Sequence, residues 1–271
     1  MTVDLLPWAE LATPYSLGVL LITTRIATAT LWMPGLSSGR IPDRVRMMAV
    51  VVLAIMMSIA LGGVAVPFPS DPLTLGLMLT REALIGAGIG FAVRLVVLGA
   101  EVAGSMAGIS MGLSLNVLVD PSTGDQSVSL GALLAIAAMM LFVALNGHEI
   151  VIWTLYEHFQ HFPVGETTYM AADPEKLGAA FMKTVYTGMQ LASPAIVVTL
   201  TLNISMAFVS RAVPSVNLFG IGLGMLIMAG WMSLSIIGEA VVVTTTDALG
   251  DLPRNMIDLG LQGPEVLPRS P

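Results

Sequence analysis

The stretch LTLGLMLTREALIGAGIGFAVRLVVL, residues 73–98, decides the fold class of this chain. Only Arg81, Glu82 and Arg94 are charged within it, and its apolar residues do not alternate with polar ones. A helix that crosses the hydrocarbon core of a bilayer needs about 20 apolar residues, whereas a barrel strand needs about half as many and alternates. The stretch therefore predicts a membrane-spanning helix.

The composition of the whole chain agrees with this prediction. Of the 271 residues, 55% are hydrophobic and 11% are charged, and the mean hydropathy is +0.86. A soluble domain carries about 25% charged residues, so the composition predicts an integral membrane protein. The net charge of −7 argues against a nucleic-acid partner, which needs a basic surface. The absence of cysteine excludes disulfides, thiol catalysis and thiolate metal sites.

Apolar blocks of similar length recur along the chain. Backbone groups in lipid must be hydrogen-bonded internally, so blocks of this length predict helices. We therefore expect an all-α integral membrane protein with about six long, partly broken helices, in which residues 1–250 form one membrane-embedded domain and residues 251–271 a polar tail. The blocks cover residues 17–33, 45–66, 73–98, 130–156, 178–209 and 216–243.

Several charged or polar residues lie within these blocks or at their edges. Such residues are costly against lipid and usually face protein or water. They predict either internal ion pairs and snorkelling side chains, or a polar interior and contacts with partner subunits. The charged residues inside the blocks include Glu239, and the candidates for a buried polar or subunit-contact role are Arg25, Glu82, Arg94, Glu101, Asn146, His148, Lys183 and Arg211.

Small residues recur at a spacing of four in the third block and beyond it. Gly86 and Gly90 form one such pair, and Gly104 and Gly108 continue the pattern. Small residues at this spacing let helix backbones approach closely. We therefore predict that these four glycines pack against neighbouring helices.

No catalytic motif is found in the sequence. There is no phosphate-binding loop and no nucleophile elbow. His158 and His161 are three residues apart beside Glu157, but a metal site would need further ligands. We expect no enzyme activity, cofactor or metal, and thus a conduit or a structural subunit of one. The alternative is a small-solute secondary transporter, although only Pro194 in the fifth block suggests a broken helix and no internal repeat is evident.

Three motifs in order carry a resemblance to a known family. They are EVAGSMAGISMGLSLNVLVDPSTG (101–124), LFVALNGHEIVI (141–152) and HFPVGE (161–166), with further likeness in LSSGRIPDRVRMMAVVVLAIM (36–56) and LTLNISMAFVSRAVPSVNLFGIGLGM (200–225). In their order and spacing they resemble the FliR family of flagellar type III export gate proteins, which is related to the T component of virulence secretion systems. The likeness extends from about residue 17 to residue 243.

The resemblance implies a function and a set of partners. The chain would be one subunit of a helical export gate, with its N-terminal part FliP-like and its C-terminal part FliQ-like. Its partners would be FliP-like and FliQ-like subunits, with FlhB-like and FlhA-like export proteins as neighbours and membrane lipid around the assembly. The gate would lie in the flagellar basal body at the bacterial inner membrane and pass unfolded flagellar proteins.

The resemblance also assigns a role to the segment 108–127, which the family uses to plug the closed pore. An apolar constriction blocks hydrated ions because water leaves it, and an exposed loop would not favour the apolar run 113–119. Relatives often have aromatic residues where this chain has Leu115 and Leu118, so the seal here would depend on aliphatic side chains. The implied plug residues are Met111, Gly112, Leu113, Ser114, Leu115, Asn116, Val117, Leu118, Asp120 and Pro121.

Overall fold

The computed structural model describes residues 14–35, 41–113, 130–165, 174–212 and 218–256. Within these ranges the regular structure is helical, and no strand occurs. We number the helices in chain order. They are α1 (Pro14–Trp32), α2 (Asp43–Ala60), α3 (Pro72–Ser110), α4 (Leu130–Ala144), α5 (Gly147–His161), α6 (Pro174–Ala212), α7 (Leu218–Gly250) and α8 (Leu252–Met256).

The predicted all-α membrane fold is confirmed, but the apolar blocks are not six equivalent helices. By length and composition, three helices of the described chain could cross a membrane: α3, α6 and the part of α7 from Gly220 to Gly250. A fourth span is formed if α4 and α5, which meet at an angle of 68°, are counted together. The helices of the first two blocks, α1 and α2, do not pass this test within the described ranges. Buried Arg25 interrupts the apolar sequence of α1, and α2 begins with Asp43, Arg44 and Arg46.

The bend between α4 and α5 is produced by two adjacent residues. Asn146 has a φ of 54°, in the left-handed region that asparagine tolerates better than most residues. Gly147 follows, and a Cβ there would lie 2.6 Å from the Phe142 ring. The break therefore falls one residue before Gly147, which begins α5. His148 lies exposed in the first turn of α5.

The chain divides into two compact units that take segments from different parts of the sequence. Unit 1 consists of residues 1–94, 148–180 and 251–271, and unit 2 consists of residues 95–147 and 181–250. Helices α3 and α6 each contribute to both units. In unit 1, α1 packs against α2, and in unit 2, α4 packs against α7.

Candidate functional site

A buried cluster of charged and aromatic side chains lies in unit 1, centred on Arg25. Arg25 is fully buried, and its Nε donates a hydrogen bond to Glu82 Oε2 at 2.6 Å. Its Nη2 lies 2.6 Å from the same oxygen, so the pair is a buried ion pair. The third guanidinium nitrogen, Nη1, donates to the Phe162 carbonyl oxygen at 3.2 Å and lies 3.1 Å from His158 Nδ1.

The geometry of the cluster fixes the tautomer of its histidine. The guanidinium group of Arg25 has donors and no acceptor, so His158 Nδ1 accepts the hydrogen bond and a neutral ring carries its proton on Nε2. The ring of His158 stacks on Phe162 with centroids 4.7 Å apart, and Arg25 Cζ lies 4.5 Å from the centroid of the Phe159 ring. A cation so placed is attracted by the negative face of the ring.

The cluster joins four segments of unit 1 that are far apart in sequence. Arg25 comes from α1, Glu82 from α3 and His158 from α5, while the backbone N–H of Gly165 donates to Glu82 Oε1 at 3.5 Å. Buried charges are costly unless they are paired and hydrogen-bonded. Arg25 is hydrogen-bonded through Nε and Nη1, while its Nη2 has the ion pair with Glu82 but no hydrogen bond. The cluster can therefore hold α5 and the turn that follows it against α1 and α3.

The sequence identified part of this cluster and missed the rest. Arg25 and Glu82 were both expected to be buried or to contact a partner, and they are buried against each other. No role was predicted for His158, Phe159 or Phe162 from the sequence, and the structure buries all three around Arg25. The spacing of His158 and Phe162 by four residues on one helix face was the signal that could have indicated a shared partner.

In unit 1, Gly86 and Gly90 of α3 lie against the backbone of α1. A Cβ on Gly86 would overlap the carbonyl oxygen of Arg25, and a Cβ on Gly90 would overlap that of Ala29. One turn further along α1, the ring of Trp32 packs edge to face against that of Phe91 on α3, with ring centroids 5.8 Å apart. The glycines let α1 come close enough to α3 for Arg25 to reach Glu82.

Close helix contacts in unit 2 are also made by glycines. A Cβ on Gly104 would lie 2.6 Å from the Leu130 carbonyl oxygen and 2.7 Å from Gly131 Cα, and a Cβ on Gly108 would lie 3.3 Å from Leu130 Cβ. On another side of α3, a Cβ on Gly188 would lie 2.8 Å from the carbonyl oxygen of Gly99. Gly131 and Gly188 were not identified from the sequence, because each has its small partner on another helix.

The end of α3 is held by a glycine turn and by a buried methionine. Leu113 N–H donates to Gly108 O at 3.0 Å and Gly112 N–H to Ile109 O at 3.1 Å, which is the Schellman pattern of a helix C-terminus. Gly112 has a φ of 74°, as this pattern requires. The side chain of Met111 is buried in the core of unit 2 and fills the space beside Gly230, where a Cβ would overlap it.

This geometry concerns the first residues of the predicted plug segment, 108–127. Helix α3 continues to Ser110, so the first three residues of the range 108–127 are helical. Met111 and Leu113 pack with the core cluster of unit 2. The other predicted plug residues lie outside the described part of the chain: Ser114, Leu115, Asn116, Val117, Leu118, Asp120 and Pro121.

The remaining polar candidates are not buried within the chain. Arg94 and Glu101 are half-buried on α3, which continues through both positions. Asn146, His148, Lys183 and Arg211 are exposed. Internal burial is therefore excluded for these four residues in the isolated chain, and a contact with a partner subunit remains a prediction.

The described residues contain no group of three or more His, Cys, Asp or Glu side chains placed to hold a metal ion. They form long apolar helices packed through glycines, with a closed ionic cluster in one unit. These features define a helical membrane protein whose helices are held together by close glycine contacts and, in unit 1, by a buried ion pair.

The chain belongs to the family described as "Bacterial export proteins, family 1", which matches residues 17–252. It is 28% identical to the flagellar biosynthetic protein FliR of Escherichia coli over 224 residues, 82% of this chain and 83% of the relative. It is 26% identical to FliR of Caulobacter vibrioides over 237 residues, 86% of this chain and 92% of the relative. These matches confirm the resemblance to the FliR family, and a family of export proteins agrees with the expectation of a structural component rather than an enzyme.

A virulence-related protein is also similar to part of the chain. The secretion system apparatus protein SsaT of Salmonella typhimurium is 22% identical over 143 residues, 52% of this chain and 55% of the relative. The likeness to FliR proteins is thus longer and higher in identity than the likeness to SsaT.

Proposed function

We propose that this chain is a pore-forming structural subunit of the flagellar type III protein export gate in the bacterial inner membrane. The observation that carries the proposal is the family match over residues 17–252, together with FliR relatives aligned over most of their own length. The longer likeness to FliR than to SsaT favours a flagellar system over a virulence system. The chain works in the basal body and passes unfolded flagellar proteins.

The distribution of apolar residues supports a subunit that other helices cover. In α2, only four residues are buried, while Met47, Met48, Met56 and Ile59 are each more than 60% exposed. Exposed apolar surface of this kind indicates contact with lipid or protein. In this proposal FliP-like and FliQ-like subunits cover part of it, lipid covers the rest, and FlhB-like and FlhA-like proteins lie nearby.

Within the gate, the segment from Met111 to Pro121 acts as the plug of the closed pore. The anchored end of α3 supports this role, because Met111 and the turn at Gly112 fix the point from which the segment starts. Its apolar run then closes the bore, since hydrated ions do not enter an apolar constriction. The part of the segment beyond the anchored Met111 and Gly112 moves aside when a protein is exported.

The experiment replaces one plug residue and measures ion leakage. We expect Leu115→Lys to produce a leak through the assembled gate in a membrane conductance assay, because a charged side chain keeps the constriction wet. The matched control is Leu115→Met, which keeps the apolar character and should conduct like the wild type. Equal leakage of the two variants, with equal amounts of assembled gate, would show that this segment does not seal the pore.

The alternative of a small-solute secondary transporter is tested with the purified chain. The bent helix pair α4 and α5 resembles the broken helices that form the binding sites of such transporters. Uptake of solute by vesicles containing this chain alone would favour the transporter. Loss of flagellin export on deleting the gene, with no uptake by the chain alone, would favour the gate subunit.

A further inference from the structure

Helix α7 has two faces of different character. One face is buried in unit 2, and its residues follow one another at a spacing of three or four. They are Gly230, Ser233, Ile237, Val241, Thr245 and Leu249. Ile237 and Val241 belong to the core cluster that also contains Met111. Through this face α7 packs against other helices of its own chain.

The opposite face is exposed, and its residues from Met225 to Val243 are apolar apart from Glu239, while the exposed Thr246 and Asp247 follow toward the end of the helix. Met232 is 76% exposed and Met228 is 70% exposed. We call this face the methionine stripe, and its residues are Met225, Met228, Met232, Ile236, Glu239 and Val243. Their spacing of three or four places them along one side of the helix. Unbranched methionine side chains adapt their shape to a packed neighbour, so the stripe is suited to receive another helix.

Glu239 is the single charged residue of the methionine stripe. It stands in the sequence IIGEAVVV, residues 236–243, with apolar residues on both sides. At 1.5 Å per residue it lies about 16 Å from the end of the helix at Gly250 and about 28 Å from Gly220. Glu239 makes no hydrogen bond or ion pair with the part of the chain that the structure describes, whereas Glu82 is paired with Arg25.

A carboxylate in an apolar span needs a partner. Charged side chains within membrane spans pair with opposite charges or face water, because their exposure to hydrocarbon is costly. A lipid tail offers no hydrogen-bond donor, while a lysine or arginine offers several. The apolar residues around Glu239 favour a neighbour that is itself apolar apart from one basic side chain.

We propose that the methionine stripe is the docking surface for an apolar helix of a partner subunit that places one Lys or Arg side chain against Glu239. The proposal rests on the proposed function, since it requires that the chain work in a multi-subunit assembly. The apolar residues of the stripe supply contact area, and Glu239 fixes the register of the partner helix. A helix without the basic residue leaves the carboxylate unpaired and is rejected.

The first test measures how much of the partner subunits is retained when the chain is purified from membranes in detergent. We expect Glu239→Gln to lower retention of one partner at least tenfold, and Glu239→Asp to restore much of it. The matched control is Glu149→Gln, which removes an exposed carboxylate from α5 and should retain partners like the wild type. Equal retention by the Glu239→Gln and Glu149→Gln variants would overturn the proposal.

The second test identifies what covers the stripe. Because the chain has no cysteine, a single one can be introduced at Ile236 and labelled with a benzophenone maleimide for photo-crosslinking. Trp231→Cys is the matched control, since Trp231 is also exposed but lies about 140° around the helix. We expect a cross-link from position 236, and not from 231, to a polypeptide with a basic residue in an apolar helix. Cross-links to lipid alone at position 236 would overturn the proposal.

The same purification distinguishes a failure of the proposed function from a failure of the role proposed for Glu239. If the wild-type chain retains no partner subunit at all, the proposed function fails and this inference fails with it. If the wild type retains its partners and Glu239→Gln does so equally, only the role of Glu239 is wrong.

Discussion

The two units of the chain differ in where charges within their apolar helices find a partner. Unit 1 buries Arg25 and Glu82 and pairs them with each other, with His158 and with backbone groups, while Glu149 in the first turn of α5 is exposed. Unit 2 has a core of apolar and small residues, including Ala100, Ala107 and Ala138, and leaves Lys183 and Glu239 at its surface. Both units belong to one apolar chain, so the difference lies in where the partner of each charge is found.

This difference shows which charges within the apolar helices find their partner inside the chain. In an apolar environment an unpaired charge is expensive, so a unit that pairs its charges internally needs no neighbour for that purpose. A unit that leaves charges on apolar helices needs a partner protein, water or the membrane surface. The contrast agrees with a protein that works as one subunit of a larger assembly.

The largest effect that tests this contrast is expected at the buried ion pair. Arg25→Met should destabilise the protein by about 3–5 kcal/mol, because it leaves Glu82 buried without its cation. Glu82→Met should cost a similar amount, since Arg25 then remains without its anion. The free energy of unfolding can be followed by circular dichroism during titration with SDS, starting from protein in mild detergent.

The double variant Arg25→Met with Glu82→Met is the control for this prediction. It removes both charges, so it should be more stable than either single variant, as apolar replacement of a buried ion pair often is. A double variant that loses the sum of the two single effects would show that the pair does not couple α1 to α3.

A smaller effect is expected from the glycine contacts of unit 2. Gly104→Val should destabilise the protein by about 1–3 kcal/mol, because the new side chain would press on the backbone of α4 at Leu130 and Gly131. Gly224→Ala on α7 is the matched control, since nothing lies within 4 Å of a Cβ at that position. It should be neutral or stabilise by up to about 1 kcal/mol through helix propensity. Equal losses in thermal melts of the two variants would mean that the α3–α4 contact is not close.

The sequence predicted the helical class and the close-packing glycines of α3 because both are periodic patterns within one segment. Gly86, Gly90 and Gly104 lie at helix contacts for the reason that their spacing suggested. The sequence could not predict that His158 contacts Arg25, since 133 residues separate them and only the fold brings them together. The six apolar blocks were recognised from their length, which does not show that Arg25 is buried inside unit 1 or that Asn146 bends the fourth block.

The smallest effect on stability is expected at Lys183, the counterpart of Arg25 in unit 2. Each is a basic residue within an apolar helix, and each can be replaced by methionine, which keeps a long side chain. Lys183 is exposed, so Lys183→Met should change the free energy of unfolding by less than about 0.5 kcal/mol in the same SDS titration. Arg25→Met, measured beside it, should lose several kcal/mol. A loss at Lys183 as large as that at Arg25 would mean that unit 2 also satisfies its charges internally, and the contrast between the units would be wrong.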